Sequence, residues 1–296
     1  MNRRWLIVGG SGMLGHSLCR SLIDAGIETW ATANANSTAQ DKNVIPLDLA
    51  QSMDVRKILR QSDPDVIVYV AGLTDVDRCE ANEALAERLH AGAALEFAGG
   101  ALSHQKFVYI STDHLWDGTK QNVSEEEPLH PLNAYARTKA LGEKLVSEAN
   151  PDALILRTNF FGNGLTWRKS LSDWMLERLR TGQTLNAFTD AYFTPIAMPL
   201  LSRTILAAAG LDLAGIYHCC GAERISKFEF AHRLAKHFGL DRGLISPAEL
   251  SKAPLKAPRP LDMSLSTEKL SDALGYALPS LHDSLNSISS PSFGSS

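Results

Sequence analysis

Residues 5–15 read Trp5-Leu6-Ile7-Val8-Gly9-Gly10-Ser11-Gly12-Met13-Leu14-Gly15, an apolar run that empties into glycines three apart at Gly9, Gly12 and Gly15. An apolar strand that ends in Gly-x-x-Gly-x-x-Gly and opens a helix makes a phosphate cradle. Gly9 can take a turn conformation closed to other residues, Gly12 lets backbone approach a pyrophosphate, and Gly15 lets the helix pack closely on the strand. The helix start then offers free N–H groups and the positive end of its dipole. Glycine-rich turns also occur as plain tight connections, so the reading depends on what surrounds this one.

Around it, short apolar runs alternate with helix-length amphipathic stretches, the signature of a parallel sheet with crossover helices. Strands are expected at Trp5–Val8, Glu28–Ala33, Val44–Pro46, Val66–Val70, Phe107–Ser111 and Leu154–Arg157. Helices are expected at Met13–Ala25, Asp54–Gln61, Glu83–Leu102 and Tyr135–Ala149, with Asp63-Pro64-Asp65 turning the chain into the fourth strand. After about Phe160 the pattern loosens, with Trp167, Trp174, Phe188, Tyr192 and Phe193 scattered among expected loops and short helices. A later strand at Gly215–Cys219 precedes Ser226-Lys227-Phe228-Glu229, a capping box opening a helix to Phe238. The expected fold is α/β, a Rossmann-type doubly wound parallel sheet with a smaller C-terminal substrate-binding lobe. Residues 1–160 form the dinucleotide-binding domain, 161–288 the lobe with segments returning to the sheet, and 289–296, small and polar, a disordered tail.

At 296 residues and 44% hydrophobic content the chain can bury a sizeable core. A net charge of −4 without any Lys/Arg run leaves no basic field, so neither nucleic acid nor an anionic membrane is an expected partner. Cys19, Cys79, Cys219 and Cys220 have no Cys-x-x-Cys spacing and read as reduced thiols. The histidines form no His-x-x-x-His pair, and no metal site is expected. Only Trp5-Leu6-Ile7-Val8 follows the basic N-terminus before the glycines, too short for a signal core or a membrane span, and a cytoplasmic location is expected.

Tyr135-Ala136-Arg137-Thr138-Lys139 puts a phenol and an ammonium one helical turn apart, on one face. A nearby cation favours phenolate, so the lysine, with a bound cationic nicotinamide, is expected to bring the tyrosine from its usual pKa of about 10 toward neutrality. Such a tyrosine can protonate a carbonyl oxygen as hydride reaches the carbon. Ser111-Thr112-Asp113 ends a strand at the carboxyl edge of the sheet, where ligands bind, and Thr112 can hydrogen-bond the same oxygen.

These residues, with the runs PDVIVYVAGLTDVDRCE, VYISTDHLWDG, PLNAYARTKALGE, ILRTNFFG, DAYFTP and GIYHCCGAERISKFEFA, make a chain that resembles the extended short-chain dehydrogenase/reductases. Within them it is similar to the dTDP-4-dehydrorhamnose reductase group, over nearly the whole length. The resemblance implies a catalytic set of Thr112, Tyr135 and Lys139, with Tyr135 as acid and Lys139 holding the nicotinamide ribose. It places Gly9, Ser11, Gly12, Met13, Leu14 and Gly15 on the cofactor pyrophosphate, Asp48 and Leu49 on adenine, and Ala71 and Gly72 on the adenosine side. Asp113, Asn159, Phe160, Phe193, Thr194 and Arg259 match positions that look toward substrate.

The chain departs from the group's pattern in several places. His114 stands where the group usually has Tyr, Leu115-Trp116 replaces an aromatic pair, Phe160 stands for a Trp, and His90 for an Asn that supports the catalytic lysine through water. The plain reading of His90 is a satisfied helix histidine. The second strand ends Ala31-Thr32-Ala33-Asn34, with neither the acid that binds a ribose 2′-hydroxyl nor an arginine for a 2′-phosphate. Absence of the acid leans the cofactor to NADP(H), with NAD(H) left open.

The resulting expectation is an NAD(P)H-dependent reductase of the 4-keto group of a nucleotide-linked 6-deoxyhexose, in nucleotide-sugar metabolism such as dTDP-rhamnose and polysaccharide biosynthesis. The alternatives are a non-catalytic NADP-binding regulatory subunit, like that of methionine adenosyltransferase, or a nucleotide-sugar epimerase or dehydratase of the same fold. Dehydratases usually follow Thr-Asp with Glu, and His114 occupies that place here. The resemblance leaves a homodimer open, and no segment specifies its interface.

Overall fold

In β1 (Trp5–Val8), Trp5 and Ile7 enter one hydrophobic core while Leu6 and Val8 enter another, and all four are buried. A strand covered on both faces needs a continuous apolar run, and the same holds for β4 (Val66–Tyr69), β5 (Lys106–Ile110) and β6 (Leu154–Arg157), each buried throughout. The computed structural model describes residues 3–34 and 43–289. With β2 (Thr29–Ala33), β3 (Val44–Pro46) and β9 (Gly215–His218), these strands form one seven-stranded sheet in the order β3-β2-β1-β4-β5-β6-β9. Every pair is parallel, with Ile7 opposite Val68, Val68 opposite Val108 and Val108 opposite Leu154. The strand order reverses between β1 and β4, which opens the crevice where doubly wound sheets bind ligands.

On one face α1 (Met13–Asp24) packs with α8 (Met198–Gly210), burying Leu14, Leu18, Leu201 and Ile205 against Ile7, Val108 and Leu156. The other face is covered by α2 (Val55–Ser62), α5 (Ala93–Gly100) and α6 (Ala134–Ala149), through Ile58, Phe97 and Val146 among others. A second core holds Phe161, Leu176, Phe193, Phe230, Leu234, Ile245 and Leu285. It is built by α7 (Leu171–Arg180), α9 (Lys227–His237), α11 (Leu281–Asn286) and two small sheets. In these, β8 (Tyr192–Phe193) pairs antiparallel with β10 (Ile225–Ser226), and β7 (Leu185–Phe188) pairs parallel with β11 (Ile245–Ala248). Finally α10 (Glu268–Leu274) lays Leu270 into the first core. Residues beyond 160 therefore serve both cores.

The helix expected at Glu83–Leu102 runs continuously from Glu83 to Gly100 with one π-helical turn inside it, and a separate short helix precedes it. Asp75 caps α3 (Val76–Ala81), Asn82 caps α4 (Glu83–Glu87), and a π-helical turn at Arg88–Gly92 leads into α5. Short polar side chains that accept the first free N–H groups start a new helix wherever they stand, and the π turn carries His90 inward to polar partners. The capping box expected at Ser226 is half formed: Ser226 accepts from Glu229 N at 3.0 Å, whereas the Glu229 carboxylate reaches Arg233. Of the expected tail, Ser289 accepts from Asn163, and 290–296 lies outside the described residues.

Candidate active site

The glycine turn behaves as its spacing requires. Gly9 has φ 99°, and a Cβ there would meet Ala71 backbone at 2.8 Å. A Cβ on Gly15 would lie 2.2 Å from Gly9 O, so only glycine lets α1 sit this close to the turn. Gly12 is the N-cap of α1 and supplies no side-chain acceptor, whereas α2, α6 and α9 are capped by Asp54, Asn133 and Ser226. The first turn of α1, Met13-Leu14-Gly15, is thus left open to an external anion. Thr32 Oγ1 accepts from Gly9 N at 3.0 Å, tying the turn to β2. Ser11 lies on the same turn, partly exposed. Asp48 accepts from Ala50 N at 3.0 Å, and Leu49 and Ala71 edge the core beneath.

Across the crevice, Asn133 caps α6 by accepting from Ala136 N at 2.9 Å, and Glu80 accepts from Ala134 N at 2.8 Å. These bonds set the helix start that carries Tyr135 and, one turn on, Lys139. The Tyr135 ring stands edge-on between two imidazoles, 5.5 Å from His90 and 5.4 Å from His114. Thr112 and Asp113, at the end of β5, are buried with it. Burial pushes the Tyr135 phenol well up, a hydrogen bond with Thr112 acts the other way, and the Asp113 charge adds to the rise. In this structure burial outweighs the neighbouring lysine, and the tyrosine is held as a neutral phenol. The physical reason is that phenolate loses its hydration here, while Lys139 is itself lowered to about 7 by burial, against an opposing effect of Glu143. Lys139 Nζ donates to Ile110 O at 2.6 Å and lies 4.2 Å from the Tyr109 ring centroid.

His90 joins the two walls. The Thr138 hydroxyl donates back to Ala134 O at 2.8 Å, so it accepts from His90 Nδ1, also at 2.8 Å. That leaves His90 Nε2 bare, to accept from Leu73 N at 3.0 Å. One neutral imidazole thus bolts the Ala71-Gly72-Leu73 loop to the Tyr135 helix; burial and the Lys139 charge hold its pKa down at about 3. A Cβ on Gly72 would touch this ring at 2.9 Å, so Gly72 is needed where His90 stands.

The residues expected toward substrate divide. Asn159, after β6, has both amide atoms buried without a partner, as do Ser111 Oγ and His114 Nδ1. Phe160 is half-buried beside them, against the first core. Phe193 lies in the second core and presents a ring face to Lys227. Arg259 donates to Asp77 at 3.0 Å and to Ala257 O at 2.7 Å, and its charge reaches His114. The Thr194 hydroxyl donates to Cys220 Sγ at 3.1 Å. Trp116, buried among Leu115, Val123 and Cys220, is core as well. Among the described residues no group of His, Cys, Asp and Glu could hold a metal ion, and no helix is long and apolar enough to cross a membrane.

A doubly wound sheet with a glycine turn at its switch point, faced by a helix bearing Tyr-x-x-x-Lys, defines an α/β protein of the extended short-chain dehydrogenase/reductase kind. The chain belongs to the RmlD substrate-binding domain family, whose model matches residues 3–291. It is 28% identical over 95% of its length to a probable low-salt glycan biosynthesis reductase of Haloferax volcanii, covering 96% of that protein. It is 31% identical to a dTDP-4-dehydrorhamnose reductase of Sinorhizobium fredii, over 80% of this chain and 83% of that one. A crystal structure described as a hypothetical dTDP-4-dehydrorhamnose reductase from Sulfolobus tokodaii superposes with TM-score 0.84 at 31% identity, covering 97% of this chain and all of that one.

Proposed function

We propose that this protein is an NAD(P)H-dependent oxidoreductase that reduces the 4-keto group of a nucleotide-linked 6-deoxyhexose. The observation that carries the reading is the placement of Tyr135, buried edge-on between His90 and His114 with Lys139 one helical turn on, in a doubly wound sheet whose switch point carries the uncapped glycine-rich start of α1. A dinucleotide fits the residues present. The first turn of α1 takes its pyrophosphate, Asp48, Leu49, Ala71 and Gly72 flank its adenosine half, and Lys139 reaches its ribose near the unpartnered Asn159 and Ser111. When bound, the reduced nicotinamide supplies hydride to the carbonyl carbon. Thr112 holds the carbonyl oxygen and Tyr135 gives it a proton, because an oxygen gaining negative charge is a far stronger base than the phenolate left behind. Lys139, whose ammonium is poised to lose or hold its proton near pH 7, stabilises that phenolate until it is reprotonated.

His114 argues for reduction over dehydration. Elimination needs a second acid at this position, and burial holds the His114 imidazole below its usual pKa, hence neutral. NADPH is favoured over NADH because β2 ends at Ala33 and Asn34 follows, with no carboxylate to repel a 2′-phosphate. The test is oxidation of NADPH and NADH at 340 nm with a dTDP-4-keto-6-deoxyhexose and its GDP counterpart. Tyr135→Phe is expected to cut turnover by about 10²- to 10⁴-fold while dinucleotide binding persists. Tight cofactor binding without turnover of any sugar would instead make the chain a binding subunit.

A further inference from the structure

Tyr109 is fully buried in β5, one residue before Ile110, whose carbonyl accepts from Lys139 Nζ at 2.6 Å. The same Nζ lies 4.2 Å from the centroid of the Tyr109 ring, so neighbouring residues of one strand supply two contacts of the ammonium. Glu143, one helical turn beyond Lys139, is spent elsewhere: its carboxylate is closed on Arg157 at 2.8 Å. The positive charge therefore rests on a carbonyl dipole and an aromatic face. In a desolvated site a ring face holds a cation through its negative quadrupole.

The ring is fixed at its far end. The Tyr109 hydroxyl donates to His90 O at 2.8 Å, and Tyr69, beside it on β4, donates to Leu89 O at 2.6 Å, with the two rings stacked 6.0 Å apart. Two successive carbonyls of the π-helical turn thus accept from tyrosines of adjacent strands. Gly142 makes room for this arrangement, because a Cβ there would lie 2.3 Å from the Tyr109 hydroxyl and 2.4 Å from His90 O. Gly142 stands three residues after Lys139 and so shares its face of α6. The face of α6 that carries the ammonium is the face that packs on Tyr109.

We infer that Tyr109 is a positioning residue: the face of its ring, locked through His90 O, holds the Lys139 ammonium in place for the part it takes in the reaction. The inference rests on the function proposed above for what the lysine does, but not for what holds it. The ionisable groups around the ammonium are Tyr135 and Glu143, one turn to either side on α6, His90 from the π-helical turn, and Tyr109 itself. Weakening the ring's negative face while leaving these others in place lets the buried ammonium lose its proton at lower pH.

The experiment replaces Tyr109 by phenylalanine and, at the same position, by pentafluorophenylalanine introduced by codon suppression. Both replacements lack the hydroxyl and have closely similar shapes, so any loosening of the π-helical turn is common to them. Fluorine strips the negative charge from the ring face. The titration of Lys139 is followed in the cofactor-free protein by NMR of ε-carbon-labelled lysine, its signal identified by its absence from Lys139→Met. Tyr109→Phe should titrate close to wild type, and the fluorinated protein with a midpoint about one pH unit lower, the worth of a desolvated cation–π contact. A trifluorinated ring should fall between them, and it takes over the comparison if the fully fluorinated protein does not fold. The alkaline limb of kcat should move down in step, because Lys139 acts as an ammonium. Equal midpoints in the phenyl and fluorinated proteins, or a shift already complete in Tyr109→Phe, would overturn the inference. If wild type turns over no nucleotide sugar, the reductase reading fails, while the titration still decides whether Tyr109 holds the lysine.

Discussion

Replacing His90 by leucine removes the bolt between the Leu73 loop and α6, and the cost depends on pH in a way that only the buried arrangement produces. At pH 7.5 the imidazole is neutral both folded and unfolded. The variant then loses the bonds to Leu73 N and Thr138, leaves a buried N–H without an acceptor, and loses an edge contact to Tyr135. One unsatisfied buried donor costs about 1–3 kcal/mol, and a lost buried hydrogen bond and aromatic edge contact each add about 1 kcal/mol, so destabilisation of about 3–5 kcal/mol is expected. At pH 5 the unfolded His90 takes up a proton and the folded one, with its pKa held at about 3, does not. The folded-state pKa is depressed, so the wild type loses stability as pH falls below the unfolded pKa of about 6.5, at 1.36 kcal/mol per unit, or about 2 kcal/mol by pH 5. The leucine variant lacks that loss, so its deficit should shrink to about 1–3 kcal/mol. His218, also buried and held at about 3, weakens both proteins alike on acidification and cancels in the difference. Urea unfolding of both proteins at the two pH values measures this directly. A deficit that stays constant, or grows in acid, would refute the neutral bridging imidazole.

Glu143→Gln breaks the buried ion pair with Arg157, closed at 2.8 Å between the Tyr135 helix and β6, and should cost about 3–5 kcal/mol in chemical denaturation. Gly15→Ala drives a Cβ into Gly9 O, so thermal unfolding should fall by about 1–3 kcal/mol and dinucleotide affinity, measured by fluorescence titration, should drop with it. Lys139 is depressed to about 7 against about 10.5 unfolded, so the folded state binds fewer protons between those values and the lysine's destabilising effect fades as pH rises. Lys139→Met should therefore raise the unfolding temperature of the cofactor-free protein at pH 6.5, with the gain shrinking toward pH 10; a constant gain would count against the buried ammonium.

How much of the fold was legible follows from the kind of signal each element carries. The strands buried on both faces announced themselves as mainly apolar runs, and β1 and β6 begin and end where those runs were expected to. The strand end at Ser111-Thr112-Asp113 likewise stood in local chemistry, and the helix expected from Tyr135 begins one residue earlier, at Ala134, behind the Asn133 cap. The partner of the Thr194 hydroxyl was not legible, because Cys220 lies 26 residues away in the chain. The π turn at His90, inside a helix whose periodicity runs on from Glu83, could not be seen in the sequence because it brings His90 to the distant polar groups of Leu73 and Thr138.

By itself the sequence determined the glycine turn and the Tyr-x-x-x-Lys helix, which depend on contacts within a few residues, and the doubly wound sheet, whose apolar strand runs alternate along the chain with amphipathic crossover helices. The tertiary structure alone decided the protonation states and the pairing of distant groups. Tyr135 is held as a phenol and His90 as a neutral bridge, because desolvation and charge proximity arise only when elements far apart in the chain close on one another.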